Sequence, residues 1–164
     1  MHVLMKDTDS FSYIFKNYSD TVYRIAVHNT DSLSDAEDIT QEVFVKLLES
    51  TKTFRDSEHI KAWLIRVTLN KCHNYRRDKK RTVIAEIQPE DNISTNDSTL
   101  SVLDAVKKLP SNQRNAIYLH YYEGYTAKEI GKLLSVSTNT VLSWLKRSRS
   151  TLKLDLNERG DFNE

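Results

Sequence analysis

The stretch YTAKEIGKLLSVSTNTVLSWLKRSRSTLK, residues 125–153, has the pattern of a helix-turn-helix. Thr126 and Glu129 have the spacing of a capping box, in which the side chain of each accepts a hydrogen bond from the backbone amide of the other. A polar turn follows at 135–137, and Ser137 or Thr138 can cap a second helix. One stripe of that second helix carries the residues expected to pack inward, namely Val141, Leu145, Ser148 and Leu152.

The charge from the end of the first helix through the second helix suits a DNA partner. From Lys132 to Lys153 the sequence has five lysines and arginines and no acid. A helix of that charge can lie beside phosphates with its first turns in the major groove. The alternative is an amphipathic helical hairpin whose basic face is merely solvated. Cap, turn, apolar stripe and charge all agree, however, and together they favour DNA binding.

The composition predicts an all-α fold, because the 164 residues include only three glycines and two prolines. In the N-terminal half, apolar residues at helical spacing predict helices over about 10–29, 34–50 and 58–80. A capping box at 34–37 is expected to begin the second of these helices. Near the end of the same helix, Leu48 is expected to face the core. These three segments predict a compact helical bundle.

A second helical domain is expected to begin near Leu100. Its first helix should stop at Pro110, Ser111 can cap the next one, and Gly124 suits the position just after a helix end. Before it, residues 82–99 carry four acids and no lysine or arginine, which is typical of a linker. The sequence therefore predicts two small helical domains, residues 1–81 and 100–164, joined by a flexible acidic linker over 82–99.

Charge is segregated along the chain although its net value is only +1. From Asn29 to Gln41 there are three aspartates, one glutamate and no base, whereas Ile60 to Arg81 has eight lysines and arginines and one aspartate. Trp63 and Tyr75 interleave with these cations, as single-stranded or partly opened nucleic acid requires, although a tryptophan such as Trp63, taken alone, is more often a core residue than a stacking platform. The acidic segment fits a protein with a basic surface, or is a solvated helix start.

Nothing in the sequence indicates catalysis. It has no glycine-rich phosphate loop, no metal-ligand spacing and no nucleophile with a matched base, so we expect no enzymatic activity, cofactor, metal or small-molecule substrate. Cys72 is the only cysteine, which excludes an intramolecular disulfide. No apolar run approaches membrane length and the N-terminus lacks a signal-like segment, so a cytoplasmic protein is expected.

The order of these motifs resembles that of bacterial RNA polymerase sigma factors of the extracytoplasmic-function (ECF) class. Residues 34–44, SDAEDITQEVF, resemble the helix that docks on core polymerase. Residues 61–66, KAWLIR, with Asn70 and residues 75–77, are similar to the helix that recognises the −10 element. Residues 109–114 and 123–130, the latter reading EGYTAKEI, resemble the domain that reads the −35 element. The resemblance extends over nearly all of residues 10–155.

This resemblance implies a subunit that binds core RNA polymerase and directs promoter-specific initiation at −10 and −35 elements. The implied partners are the clamp helices of the largest polymerase subunit, the polymerase flap and promoter DNA, with an anti-sigma factor as a further partner. The loop at 55–59 matches the place where the family captures a flipped base.

The resemblance also implies site residues. Polymerase docking is expected at Asp35, Asp38, Gln41, Glu42 and Phe44. Recognition of the −10 element is expected at Arg55, His59, Lys61, Trp63, Arg66, Asn70, Asn74, Arg76 and Arg77. Recognition of the −35 element is expected at Thr138, Asn139, Thr140, Ser143, Lys146, Arg147 and Arg149.

The chain departs from the family pattern at a few positions. Leu142 and Trp144 stand where basic residues are common, and Asn74 stands where an acid is frequent. On a helical wheel, Leu142 and Trp144 flank the buried stripe on opposite sides, while Asn139 and Ser143 face outward. Base reading by the outward residues is still expected, whereas phosphate contacts from the two flanking positions are in doubt.

Two other functions compete with a sigma factor. One is a stand-alone helix-turn-helix regulator whose N-terminal bundle senses a ligand or dimerises. The other is a helical adaptor whose basic segments bind RNA or acidic proteins. The segment from Lys61 to Arg81 favours the sigma factor over the regulator, because a sensing domain has no need of a second nucleic-acid surface with interleaved aromatic residues.

Overall fold

The computed structural model describes residues 7–82 and 104–158, and helices form the framework of both ranges. The all-α prediction is confirmed. The chain divides into two compact units, Met1–Glu86 and Ile87–Glu164. Apart from Thr82, the linker predicted over 82–99 lies outside the described residues, so its boundaries stay a prediction.

Three helices that all pack against one another form the first unit. They are α1 (Thr8–Asn29), α2 (Leu33–Glu49) and α3 (Ser57–Thr82). The carboxylate of Asp7 caps α1 by accepting the Asp9 amide at 3.3 Å. The apolar stripes of the helices meet in a core that includes Val22, Ala26, Val43 and Leu64.

The start of α2 corrects the predicted capping box at 34–37. Ser32, in extended conformation, is the N-cap, and its hydroxyl accepts the Asp35 amide at 3.0 Å. Ser34 already lies inside the first helical turn, so it does not cap. The inward position predicted for Leu48 was also wrong, since Leu48 is exposed while Leu47 is fully buried. Successive helical residues are about 100° apart, and only Leu47 continues the core-facing row.

Phe54 anchors the loop between α2 and α3. Its side chain is fully buried, and its ring makes edge contacts with the rings of His59 and Trp63 at centroid distances of 5.4 Å and 5.7 Å. Such edge-to-face pairs add to the free energy gained by burying the rings. The loop that precedes the basic helix α3 is therefore fixed by the core of the unit.

The second unit contains a helical stretch over 104–108, which ends before Pro110 as predicted. It continues with α4 (Ser111–Ile117), a π-helical segment (Tyr118–Tyr122), α5 (Ala127–Leu134) and α6 (Thr138–Glu158). Ser111 is the first residue of α4 and not its cap; Pro110 precedes it, and the Pro110 carbonyl accepts the Arg114 amide at 2.9 Å. Gly124 has a φ of 77°, the left-handed conformation expected just after a helix.

The π-helical segment was not predicted from the sequence. The Glu123 amide reaches back to the Tyr118 carbonyl at 3.2 Å, and the rings of Tyr118 and Tyr122 stack at 5.2 Å. This wider turn leaves Tyr118 buried and Tyr121 exposed. The hydrophobic core of the second unit includes the buried side chains of Ala116, Leu119, Ile130, Leu133, Val141 and Leu145.

Candidate nucleic-acid interface

The predicted capping box is present and fixes the first helix of the helix-turn-helix. The Glu129 amide donates to the Thr126 hydroxyl at 3.2 Å, and the Thr126 amide donates to the Glu129 carboxylate at 2.8 Å. That amide hydrogen bond holds the pKa of Glu129 below its ordinary value, because it stabilises the charged form. The two reciprocal hydrogen bonds of the capping box thus fix the N-terminus of α5.

The turn between α5 and α6 is tight and depends on Gly131. Ser135 adopts a left-handed conformation with φ 58°, and the Val136 amide donates to the Gly131 carbonyl at 2.9 Å. A Cβ on Gly131 would lie 2.8 Å from the Val136 carbonyl oxygen, closer than van der Waals contact allows. Ser137 then caps α6, since its hydroxyl accepts the Thr140 amide at 3.1 Å.

Replacing Gly131 by alanine should destabilise the second unit. The new methyl group meets backbone that cannot move without opening the turn, and such overpacking costs about 1–3 kcal/mol of unfolding free energy. Urea unfolding followed by the fluorescence of Trp144, in a Trp63→Phe background, measures the change. Lys128→Ala, an exposed change on the same helix, is the matched control and should shift stability by less than about 0.5 kcal/mol.

The outward face of α6 carries most residues predicted to read the −35 element. Asn139, Ser143 and Lys146 follow one another at one-turn spacing and are exposed, as are Thr138 and Arg147. On the opposite side, the predicted inward stripe is buried at Val141, Leu145 and Ser148, with Leu152 half-buried. The outward residues line a shallow concave surface together with α4, formed by Gln113, Ser143, Lys146, Arg147, Ser150 and Thr151.

Two other members of the predicted −35 set have internal partners. Thr140 is half-buried, and its hydroxyl lies 2.8 Å from the Ser137 hydroxyl, within the cap of α6. The Arg149 guanidinium donates to the Tyr121 hydroxyl at 2.9 Å, which directs this side chain toward the π-helical segment. Of the two residues that depart from the family pattern, Leu142 is exposed and Trp144 is half-buried.

A second polar face runs along α3 in the first unit. Arg66, Asn70, Asn74 and Arg77 follow one another at spacings of four, four and three residues and are all exposed. At this spacing, side chains lie above one another on the same side of a helix. Four residues of the predicted −10 set therefore share one solvent-facing surface, which we call the α3 face.

The remaining predicted −10 residues are not on the α3 face. The Arg76 guanidinium donates to the Asn29 side chain at the end of α1, and Lys61 is half-buried. Trp63 is half-buried and packs against the core at Phe54, so part of its ring is structural. The core interpretation of Trp63 therefore holds for part of its side chain, and its role as a stacking platform stays a prediction.

The loop before α3 brings Arg55 and His59 together. The Asp56 carboxylate caps α3 by accepting the His59 amide at 2.8 Å, and the His59 ring accepts the Arg55 amide on Nδ1 at 3.3 Å. Arg55 itself is exposed. The loop is therefore ordered by its own hydrogen bonds and by the buried ring of Phe54.

The predicted polymerase-docking residues on α2 separate into two groups. Asp38, Gln41 and Glu42 are exposed, although Glu42 pairs with Lys71 of α3 at 2.8 Å. Phe44 is only 3% exposed and lies against the ring of Phe15 at 4.8 Å. The predicted polymerase contact of Phe44 is corrected on this ground, because a side chain in the core cannot reach a partner.

Asp35, the fifth predicted docking residue, belongs to a network that joins α2 to the end of α3. The Tyr75 hydroxyl donates to the Asp35 carboxylate at 2.7 Å, and the Lys79 ammonium lies 3.1 Å from Asp31 and 3.7 Å from Asp35. The Tyr75 hydrogen bond lowers the pKa of Asp35, while burial raises the pKa of Tyr75. Part of the charge of the acidic segment is thus balanced within the unit.

Removing the Tyr75 hydroxyl should make the stability of the first unit less dependent on pH. A lowered carboxyl pKa stabilises the fold above the ordinary value of 3.8, and this contribution disappears as pH falls through the lowered value. Tyr75→Phe is therefore expected to cost up to about 1 kcal/mol at pH 7, since Asp35 is partly solvated, and progressively less as pH falls below 3.8. Urea unfolding followed by Trp63 fluorescence in a Trp144→Phe background measures this, with Tyr13→Phe, an exposed tyrosine, as control.

Within residues 7–82 and 104–158, no cluster of histidine, cysteine, aspartate and glutamate side chains has the composition of a metal site. Nor does any helix in those ranges have the length and apolarity needed to span a membrane.

The two units match two family models in the order of the predicted motifs. Residues 14–82 match Sigma-70 region 2, and residues 99–152 match Sigma-70, region 4. ECF RNA polymerase sigma factor SigW of Bacillus subtilis is 25% identical over 93% of this chain and 91% of its own length. ECF RNA polymerase sigma factor SigE of Mycolicibacterium smegmatis is 31% identical over 88% of this chain, which spans 60% of SigE. The chain belongs to the ECF class of RNA polymerase sigma factors.

As a sigma factor, the protein binds core RNA polymerase and directs transcription initiation at promoters. Solved structures share its fold. The sigma factor RpoE of Bartonella quintana, solved with the anti-sigma factor NepR, has a TM-score of 0.76 at 21% identity over 92% of this chain and 98% of RpoE. CnrH, solved with the cytosolic domain of CnrY, has a TM-score of 0.69 at 22% identity over 93% of this chain and 90% of CnrH.

Sequence reasoning missed two groups of residues in this sigma factor. Tyr75 and Lys79, which bind the acids before and at the start of α2, were placed only in a basic nucleic-acid segment. The opposite charges of the two segments were a usable signal, because neighbouring helices of one small bundle often pair such charges. Tyr121, which holds Arg149, had no signal, since the π-helical turn that exposes it has no sequence pattern of its own.

Proposed function

We propose that this sigma factor divides its contacts among three surfaces: α2 docks on the polymerase, the α3 face holds the opened −10 element, and α6 reads the −35 element. The assignment rests mainly on exposed residues, and only the −10 surface includes half-buried ones. It assigns the first unit to docking and −10 recognition and the second unit to −35 recognition, with the intervening residues as the linker.

The observation that carries this proposal is the α3 face. Two arginines and two asparagines are aligned on a solvent-exposed helix side, in a different unit from the helix-turn-helix. Cations can hold the phosphate backbone, and asparagine amides can bond base edges. A stand-alone regulator with a sensing domain has no use for such a second surface, so this face favours a two-element reader.

The −10 contact is proposed to include the loop before α3. Arg55 is exposed there, and the half-exposed rings of His59 and Trp63 both contact the buried Phe54 ring. Aromatic faces next to cations suit unstacked bases, because stacking does not depend on base identity while the charges follow the backbone. Lys61 and Arg76 would support this surface from its flanks.

The polymerase contact is proposed to fall on Asp38, Gln41 and Glu42. These residues lie at neighbouring helical positions and are exposed, so they present negative charge to a basic surface. The polymerase's clamp helices are the proposed partner of this surface, and the flap that of the second unit. Since the work of a sigma factor takes place on RNA polymerase, we place the protein in the cytoplasm and assign it no catalytic step.

An anti-sigma factor is part of the proposal. RpoE, which has the same fold, has been solved with the anti-sigma factor NepR, and CnrH has been solved with the cytosolic domain of CnrY. The first unit exposes several large apolar side chains that a protein partner could cover, namely Tyr13, Phe15, Val45 and Leu48.

Site-specific cross-linking tests whether α6 contacts the −35 element and the α3 face contacts the −10 element. Holoenzyme is assembled with the photoreactive residue p-benzoylphenylalanine at Ser143 or at Asn74 and bound to a promoter selected by the wild-type protein. Cross-links from position 143 to upstream duplex and from position 74 to the downstream opened strand are expected. The same group at Tyr13, an exposed α1 position, should reach neither element. Cross-links of positions 74 and 143 to a single short duplex site would contradict the proposal.

A further inference from the structure

We propose that Leu142 reads the 5-methyl group of a thymine in the −35 element, and so contributes to promoter choice by an apolar contact. This inference rests on the proposed role of α6. It concerns a side chain that the charge and hydrogen-bonding pattern of the helix does not explain.

The exposure of Leu142 is unusual for its helix. Its side chain is 49% exposed, whereas Val141 and Leu145 on either side are buried. Across the part of α6 whose side chains the structure describes, the other apolar residues, Trp144 and Leu152, are half-buried. A single exposed leucine on a protein surface needs no explanation. The position of this one on the helix gives it meaning.

Leu142 lies at the edge of the surface that would face DNA. It follows Asn139 by three residues and precedes Lys146 by four, so the three side chains are neighbours on the helix surface. Both neighbours are exposed, and the position is in the second turn of α6. The N-terminal turns of a recognition helix are the part that enters the major groove. A helix that brings Asn139 and Lys146 to DNA therefore brings Leu142 as well.

The chemistry of the groove then selects the contact. The edges that base pairs expose in the major groove are hydrogen-bond donors and acceptors, with one apolar group among them, the 5-methyl of thymine. A leucine side chain cannot donate or accept a hydrogen bond, and placing it against a polar edge would leave that edge without its water. A cation at this position would bind a phosphate of any sequence, whereas a leucine favours thymine because only thymine presents a methyl group in the groove.

The test removes the methyl group and nothing else. A promoter selected from a library with a randomised −35 element is synthesised with each thymine of that element replaced in turn by uracil, which pairs identically. Binding of holoenzyme to each duplex is measured for the wild-type protein and for Leu142→Ala. For the wild type, uracil at one position should weaken binding by about fourfold, the effect of burying one methyl-sized group. For Leu142→Ala, thymine and uracil at that position should bind equally.

Controls separate this inference from the proposed function. Leu33→Ala truncates a leucine of the first unit that is 62% exposed, and it should retain the wild-type sensitivity to uracil. Equal sensitivity to uracil in wild type and Leu142→Ala, or no sensitivity in either, would overturn the role of Leu142 while leaving promoter reading by α6 intact. If no −35 preference emerges from the library, the proposed function of α6 itself fails.

Discussion

Charge reversal at Asp38 and Glu42 is expected to weaken the binding of this sigma factor to core RNA polymerase by about 100-fold. Both carboxylates are exposed on α2, one turn apart, and their partner must carry complementary charge if this surface docks. Placing two lysines there replaces attraction by repulsion at the centre of the contact, and losses of several kcal/mol are usual for such changes. Binding of labelled protein to core polymerase at physiological salt gives the measurement.

The structure supplies a matched control for this experiment. Asp9→Lys makes the same charge change at an exposed aspartate of α1, on a different helix from the three residues proposed to dock. It should lower affinity by no more than about threefold. Glu42 also pairs with Lys71, so Asp38→Lys alone is measured to separate docking from the loss of that pair. Equal affinities for wild type and the double variant would remove the docking assignment.

Charge reversal on the α3 face is expected to have an equally large effect at a later step. Arg66→Glu combined with Arg77→Glu should slow formation of the open promoter complex by about 100-fold, because each charge-assisted contact is worth about 1.5–3 kcal/mol. Assembly with core polymerase should be nearly unchanged, since Arg66 and Arg77 lie on α3 and the residues proposed to dock lie on α2. The salt dependence should also fall, by about 0.7 in slope for each phosphate contact to a single strand.

Permanganate reactivity of unpaired thymines follows this opening in time. The control is Lys16→Glu, because Lys16 is an exposed cation of the same unit on α1. Since it reverses one charge, it is compared with each single arginine variant. It should open promoters at nearly the wild-type rate. If the double arginine variant opened promoters normally, the −10 element would have to be held elsewhere on the first unit.

Much of the fold could be predicted because its signals are local. The capping box from Thr126 to Glu129 and the left-handed glycine at Gly124 each depend on a few neighbouring residues, and both are present. Helical periodicity likewise placed Val141, Leu145 and Ser148 inside. Where two local signals competed, the sequence could not decide. Ser32 and Ser34 are both good caps, and only the extended backbone at Ser32 selects the first.

The candidate site was harder to predict because it depends on which helices meet. The acids of Asn29 to Gln41 and the bases of Ile60 to Arg81 were taken as surfaces for separate partners. In the structure, Lys79 and Tyr75 bind Asp31 and Asp35, so the two segments partly satisfy each other. The position of Phe44 was also ambiguous, because its spacing on α2 is compatible with either the core or the docking surface. In the structure Phe44 is buried and packs against Phe15. The periodicity of a single helix does not show which other helix it packs against.

The central claim is that this sigma factor directs core polymerase to promoters by reading two separated elements, one with each unit. Transcription in vitro with core polymerase, on a library randomised over the upstream 50 base pairs or so, tests it most directly. The expected transcripts come from templates that share two short conserved blocks about two turns of DNA apart, with the upstream block altered in Leu142→Arg and the downstream block lost in the Arg66 and Arg77 variant. Failure to copurify with core polymerase, together with tight binding to a single site on free duplex DNA, would contradict it.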